Sequence, residues 1–275
     1  MSVFDEVGYW SEVKLDIVRE YAQAYSTIMA AQTSPAFQHV YVDAFAGSGL
    51  HVSKETGKFV PGSPLNALLV EPPFAEYYFI DIEQKRVEAL EELAGKRHDV
   101  HLFHGDCNEV LLKDVFPSIR YEDYLRGLCL LDPYGLHLDW RVIEAAGTLR
   151  SVEIFLNFPV ADMNRNVLWR APDKVDPRQI ERMNRYWGDE SWRDIAYESR
   201  RTLFEPEQVK TDNETIAQAF RRRLKRVGGF QHVSDPMPMR NSRGAVVYYL
   251  FFASPKAVAA HIVADIFAKY RERRR

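Results

Sequence analysis

Apolar residues recur along this chain at two periods, and the alternation between them predicts the fold. Between residues 9 and 31 the apolar positions Val13, Ile17, Tyr21, Ala24 and Ile28 step by three or four residues, which predicts a helix. Short apolar runs follow at 38–42, 77–80, 100–103, 128–131 and 152–156, each predicting a buried strand. Helical stretches fall between them at 83–96, 110–116 and 138–149. Ser63-Pro64 opens a further short helix through Leu65, Leu68 and Leu69, with proline in the first turn. Strands that alternate with helices predict a doubly wound parallel sheet.

Residues 160–210 break this rhythm. They are rich in Arg, Trp and Asp, hold few aliphatic runs, and predict an inserted helical cap. Thr211-x-x-Glu214 then predicts a capping box before a helix that buries Ile216, Ala219, Phe220 and Leu224. Strands at 230–237 and 245–253, joined through Arg240-Asn241-Ser242-Arg243-Gly244, predict a terminal antiparallel hairpin, and Ser254-Pro255 opens the last helix. The expectation is a Rossmann-like α/β fold with a seven-stranded sheet. Residues 1–159 form the N-terminal helix and cofactor-binding core, 160–210 the cap, and 211–275 complete the sheet. Five parallel strands followed by an antiparallel hairpin is the count of a class I methyltransferase sheet, whereas a dinucleotide dehydrogenase rarely ends this way.

The strand ends carry the chemistry. Val42-Asp43-Ala44-Phe45-Ala46-Gly47-Ser48-Gly49 places an acid and a tight small-residue turn after the first strand, where backbone can approach a ligand closely. Asp43, Phe45, Ala46, Gly47 and Gly49 are thereby candidates for the amino-acid end of S-adenosylmethionine. Asp81 ends the second strand and is placed to accept the ribose hydroxyls. Asp106 ends the third and is placed to accept the adenine amine, with Ile82 and Cys107 flanking the ring. Each acid has an alternative role, because carboxylates after strands also cap the following helix. Asp132-Pro133-Tyr134 ends the fourth strand. An acceptor beside an aromatic face suits methyl transfer to an exocyclic amine: the carboxylate orients the nitrogen lone pair and the ring stacks an unstacked base. Asn157, at the end of the fifth strand, adds a polar group to this candidate reaction centre.

Composition narrows the setting. The 275 residues are 46% hydrophobic and 13% aromatic, enough for one large α/β domain with an insertion. No apolar run approaches the roughly 18 residues of a membrane span. Met1-Ser2-Val3-Phe4-Asp5-Glu6 lacks the basic and apolar regions of a signal peptide. The two cysteines make no disulfide framework, so the expectation is a cytoplasmic protein with buried thiols. The eight histidines show no metal-ligand spacing, and neither a P-loop nor a nucleophile elbow is present. Net charge is unevenly spread: 13 Lys and Arg against 24 Asp and Glu over 1–159, 10 against 10 over 160–210, and 13 against 5 over 211–275. A basic last quarter marks either solvated helix faces or a nucleic-acid-facing surface. Within the predicted helix of that quarter, Arg221, Arg222, Arg223, Lys225 and Arg226 are expected largely toward solvent. Arg222 and Arg226 are candidate phosphate contacts. In the cap, Trp169, Trp187 and Trp192, interleaved with Arg165, Arg170, Arg182, Arg185 and Arg193, are candidates to stack bases and hold phosphates, the alternative being that the tryptophans form the cap's own core.

The motifs taken together resemble a known family. Residues 41–49, Pro61-Gly62-Ser63-Pro64-Leu65, Asp81, Gly105-Asp106, Asp132-Pro133-Tyr134-Gly135 and Asn157-Phe158-Pro159 resemble the three-Cys-motif partner protein (TcmP) family. Arg185-Tyr186-Trp187-Gly188 and Tyr248-Tyr249-Leu250-x-Phe252-Ala253-Ser254 extend the likeness over most of the chain. The resemblance implies a class I S-adenosylmethionine-dependent methyltransferase and, as partner, a protein bearing a three-cysteine motif. The Pro-Gly-Ser-Pro-Leu segment is also similar to the ribosomal RNA adenine-N6 methyltransferase J family. That similarity implies a cofactor contact for Ser63 and a place near the cofactor for a lysine of the N-terminal helix, Lys14 being the nearest candidate. This chain has Asp132-Pro133-Tyr134 where that family has Asp-Pro-Pro-Tyr. Two functions are consistent with these features: methyl transfer to a nucleic-acid base, or an accessory role in which the fold serves a radical or repair enzyme without catalysis.

Overall fold

The computed structural model describes residues 5–201, 206–241 and 243–272. Met1 to Phe4, Ser242 of the predicted hairpin turn and the terminal Arg273 to Arg275 lie outside the described residues.

One large sheet carries β1 (Gln38–Asp43), β2 (Glu76–Asp81), β3 (Val100–His104), β4 (Leu125–Leu131), β5 (Val152–Phe158), β6 (His232–Val233), β7 (Met237–Arg240) and β8 (Val246–Ser254). Its spatial order is β3-β2-β1-β4-β5-β8, with β6 and β7 both paired to β8. Strands β1 to β5 are parallel, and β8 runs antiparallel to β5, with Tyr249 opposite Phe158. This is the Rossmann-like methyltransferase topology. The expected sixth strand, at 230–237, is divided into β6 and β7, so the sheet has eight strands. The break falls at Ser234-Asp235-Pro236, where proline has no N–H to donate to a ladder. The chain order reverses between β1 and β4, which opens a crevice at the carboxyl edge of the sheet.

The principal helices are α1 (Tyr9–Ala30), α2 (Gln84–Ala94), α3 (Trp140–Leu149), α4 (Val160–Asn166), α5 (Pro177–Trp187), α6 (Asn213–Arg226) and α7 (Ala257–Glu272). Burial divides them between the two faces of the sheet. Val13, Ile17 and Tyr21 of α1 pack with Val263 and Phe267 of α7 on one face. Ile143 of α3, Met163 of α4, Tyr186 of α5 and Phe220 of α6 pack on the other. The cap therefore shares the core of the sheet. Phe220 touches Phe158 at 4.6 Å, Trp187 at 5.3 Å and Tyr186 at 5.8 Å between ring centroids. Trp187 and Trp192 are buried, so their rings fill this core.

Two local expectations are corrected. Asp212, not Thr211, caps α6: its carboxylate accepts the Thr215 backbone N–H at 2.7 Å, while the Thr211 hydroxyl donates to the Ile195 carbonyl at 2.9 Å. The polar stretch 50–64 is not simply a loop. Leu50–Ser53 and Phe59–Pro61 form strands that join Asp5–Val7 in a separate three-stranded sheet, with Asp5 opposite His51.

A buried carboxyl on β5 gives the fold a pH dependence. Glu153 accepts hydrogen bonds from the Tyr21 hydroxyl and, at 2.9 Å, from the Ser254 hydroxyl. Burial pushes its pKa up to about 7, against the opposing pull of those hydroxyls and Lys256. A carboxyl that holds its proton more tightly when folded contributes stability fully present below its unfolded pKa, near 4.5, and lost as pH rises through about 7. Glu153→Gln is expected to remove roughly 2–4 kcal/mol of that loss. Urea midpoints at pH 5 and pH 8 check it: the variant should show the smaller difference.

Candidate functional site

The crevice encloses a cavity of about 700 Å³. Phe45, Asp81, Ile82, Asp106, Cys107 and Tyr134, all singled out in the sequence, line it. Apolar β1 drives Asp43 to the sheet's carboxyl edge, where the carboxyl is fully buried. Its Oδ1 accepts the Phe45 N–H at 3.2 Å, whereas Oδ2 has no hydrogen-bond partner of normal geometry. Burial pushes Asp43 up to about 7, although the neighbouring Ser63 hydroxyl and the Phe45 N–H favour the charged form. The following turn places Gly47 at φ 64° and Gly49 at φ 80°, a left-handed conformation that suits glycine.

Asp81 ties this turn to the second strand. Its carboxylate accepts the Gly47 N–H at 2.9 Å and the Glu83 N–H at 2.8 Å, and it lies 3.7 Å from the Arg86 guanidinium. Asp106 fills the helix-capping alternative as well, accepting the Asn108 N–H at 2.8 Å at the start of Cys107–Val110. Both acids line the cavity, Asp106 while capping its helix.

The Asp132-Pro133-Tyr134 turn is held from behind. Lys14 donates to Asp132 Oδ2 in an ion pair, and Asn157 Nδ2 donates to Asp132 Oδ1 at 2.9 Å and to the Pro133 carbonyl at 3.3 Å. Lys14 is buried and lies 5.4 Å from the centre of the Tyr248 ring. Burial opposes its charge, but Asp132, Tyr248 and Tyr134 outweigh that cost and keep it protonated well above the usual lysine range. Asn157 Oδ1 is buried without a partner. Tyr134 projects outward, 71% exposed; its hydroxyl donates to Asp5 at 3.0 Å and the Arg86 guanidinium lies 5.9 Å from its ring centre. Arg86 also pairs with Asp5 at 3.2 Å, closing a polar bridge across the mouth of the crevice.

Arg182 and Arg185, two of the cap arginines considered as phosphate contacts, also line the cavity, as do Asp5, Arg86 and His137, which the sequence did not single out. Arg86 reads in sequence as one more solvated helix cation, and Asp5 reaches the site only through its pairing with the strand Leu50–Ser53. Of the other candidates, Asp43, Ala46, Gly47, Gly49, Ser63, Asp132, Pro133 and Asn157 do not line the cavity, Asp43 and Gly47 being joined to its wall by hydrogen bonds with Phe45 and Asp81. Trp169 is 42% exposed, donates its indole N–H to the Arg165 carbonyl at 2.8 Å, and does not line the cavity. Arg222 and Arg226 are exposed on α6, also away from the cavity wall. The expectation that all five cations of α6 face solvent is corrected. Arg223 is held by Asp189 at 2.9 Å over the Trp140 ring, and Arg221 by Asp235 at 2.6 Å. Among the described residues, no group of three or more His, Cys, Asp or Glu is arranged to hold a metal ion, and no helix is long and apolar enough to cross a membrane.

No family model matches the sequence, and no curated protein matches it. Similar solved structures include protein LPL1258 of Legionella pneumophila, 12% identical, covering 93% of this chain and 91% of that one with a TM-score of 0.47. A putative methyltransferase, yhhF, from Escherichia coli is 13% identical over 87% of this chain and 86% of that chain, at a TM-score of 0.35. M. jannaschii TYW2, solved in complex with AdoMet, is 12% identical over 89% and 76%, at 0.36. These likenesses are distant, none above 13% identity or a TM-score of 0.47. They single out neither of the two families whose motifs the sequence resembles.

Proposed function

We propose that this chain is an S-adenosylmethionine-dependent methyltransferase acting on an amine nitrogen of a nucleic-acid base. The observation that carries the reading is the convergence of Asp81, Asp106 and Tyr134, the last residue of the Asp132-Pro133-Tyr134 turn, on one crevice where the strand order reverses. The residues fit the cofactor: Asn157 Oδ1 is a buried acceptor without a hydrogen-bond partner, and the buried Asp43 carboxyl has, beyond the Phe45 N–H, only the neighbouring Ser63 hydroxyl, a donor-seeking arrangement at the site where an amine and an ammonium would lie. Asp43, the Phe45 to Gly49 turn and Ser63 would hold the cofactor's amino-acid end, Asp81 its ribose, and Asp106 with Ile82 and Cys107 its adenine. Bound there, the cofactor supplies an electrophilic methyl group on a sulfonium.

The chain's own residues then orient the acceptor. Lys14 and Asn157 each occupy one oxygen of Asp132, and each oxygen keeps a lone pair free to accept an amine N–H. Fixing that N–H aims the nitrogen lone pair, which is the positioning the reaction requires. Tyr134 offers its exposed ring to the base, offsetting part of the unstacking cost. Arg182 and Arg185, carried by the cap to the cavity wall, suit flanking phosphates, and exposed Arg222 and Arg226 extend the cationic surface. A three-cysteine-motif partner belongs to the same proposal through the motif resemblance alone.

Asp81→Ala tests the cofactor half. Loss of its charge-assisted hydrogen bonds is expected to weaken S-adenosylhomocysteine binding by about 1.5–3 kcal/mol. An unchanged affinity in a folded variant would leave Asp81 with only its contacts to Gly47 and Glu83.

A further inference from the structure

The small sheet that sequence periodicity did not reveal delivers a histidine to the cofactor turn. His51 sits on Leu50–Ser53, and its ring lies between two glycines of the site. A Cβ at Gly62 would stand 3.1 Å from His51 Nε2, and one at Gly47 would stand 3.9 Å from His51 Cε1. Gly62 and Gly49 are themselves joined by a 2.8 Å backbone hydrogen bond, so the imidazole is packed against the clasp between the first turn and the Pro61-Gly62-Ser63 segment. His51 Nδ1 is buried and has no hydrogen-bond partner. A buried ring nitrogen left unpaired is costly, and such a group points to a missing partner.

We infer that His51 donates a hydrogen bond from Nδ1 to the carboxylate at the amino-acid end of the cofactor, an assignment that rests on the methyltransferase reading. The surroundings choose the carboxylate over the ammonium. Lys14 and Arg86 act on His51 and favour an anion beside it, against the opposing fields of Asp5 and Asp132, which are themselves ion-paired to Arg86 and Lys14. Asp43, the buried carboxyl on the same turn, supplies the acceptor an ammonium needs. Burial, and then Lys14, lower the pKa of the imidazole, so it binds as the neutral ring. A neutral ring carries one N–H, and a carboxylate acceptor selects the tautomer that places it on Nδ1.

Equilibrium binding to two ligands tests the assignment: S-adenosylmethionine, and its decarboxylated analogue, which keeps the sulfonium, ribose and adenine. His51→Phe keeps the ring's packing without its hydrogen bond, and His51→Asn returns an N–H close to the position of Nδ1. The Phe variant is expected to bind S-adenosylmethionine at least about tenfold more weakly, to bind the analogue within about twofold of wild type, and the Asn variant to recover most of the loss. Equal losses for both ligands would mean His51 only supports the turn, and no loss for either would remove it from the site; both results overturn the assignment. Wild-type protein that binds neither ligand would overturn the methyltransferase reading itself, and this assignment with it.

Discussion

Replacing Asp132 with asparagine is expected to lower methyl transfer at least about 100-fold while cofactor affinity stays within about twofold of wild type. The carboxylate sits behind the exposed Tyr134 ring, and its role in the proposed reaction is to accept and aim an amine N–H. Asparagine keeps the shape but presents one oxygen in place of two, and its amide N–H groups meet Lys14 or Asn157 as donor against donor. The same change leaves the buried Lys14 ammonium without its counter-ion, which is expected to cost about 3–5 kcal/mol of stability. A second replacement separates the two effects. Lys14→Met added to Asp132→Asn removes the stranded charge and should restore much of the stability, with no recovery of transfer. Single-turnover rates and urea midpoints on both variants distinguish the roles; transfer near the wild-type rate in Asp132→Asn would move the reaction centre elsewhere.

Gly147→Ala is expected to destabilise the protein by about 3 kcal/mol or more, the upper range for overpacking a core. A Cβ at this position of α3 would stand 1.8 Å from the Gly228 carbonyl oxygen and 2.9 Å from its carbon. Both obstacles are backbone, so no side chain can turn aside. The turn after α6 would have to move off α3, parting Ile143 and Ala146 from Leu224 and Phe230 in the shared core. The effect is read as a shift in the denaturant midpoint, and a change below about 1 kcal/mol would show that the two segments do not pack this closely.

The parts of the fold legible in the sequence are those governed by local burial. β5 is buried along its whole length and reads as an apolar run broken only at Glu153 and Asn157, and β1 and β4 are buried along nearly all of theirs. Because parallel strands end at one edge of a sheet, Asp81, Asp106 and Tyr134 reach one cavity although they are far apart in the chain. Long-range pairing is not written this way. Asp5 and His51 meet through a three-stranded sheet whose strands are only three or four residues long, too short to show a period. The fate of individual cations was equally hidden: Arg222 and Arg223 are neighbours in sequence, yet the helical turn sends one to solvent and the other onto Trp140 and Asp189. The Arg and Trp pattern of the cap was divided in the same manner, with Trp187 and Trp192 in the core and Arg182 and Arg185 on the cavity wall. Asp212 took the cap of α6 because it lies one residue closer to the first helical turn than Thr211, whose hydroxyl turns back to the carbonyls of Ile195 and Ala196.

The account stands on a crevice that binds S-adenosylmethionine, and titration calorimetry of the wild-type chain measures this most directly. Titration with S-adenosylmethionine is expected to give saturable binding at a single site per chain, with S-adenosylhomocysteine competing for it and Asp81→Ala weakening both. Binding heat absent for both ligands, in protein shown to be folded by its cooperative urea transition, would contradict it.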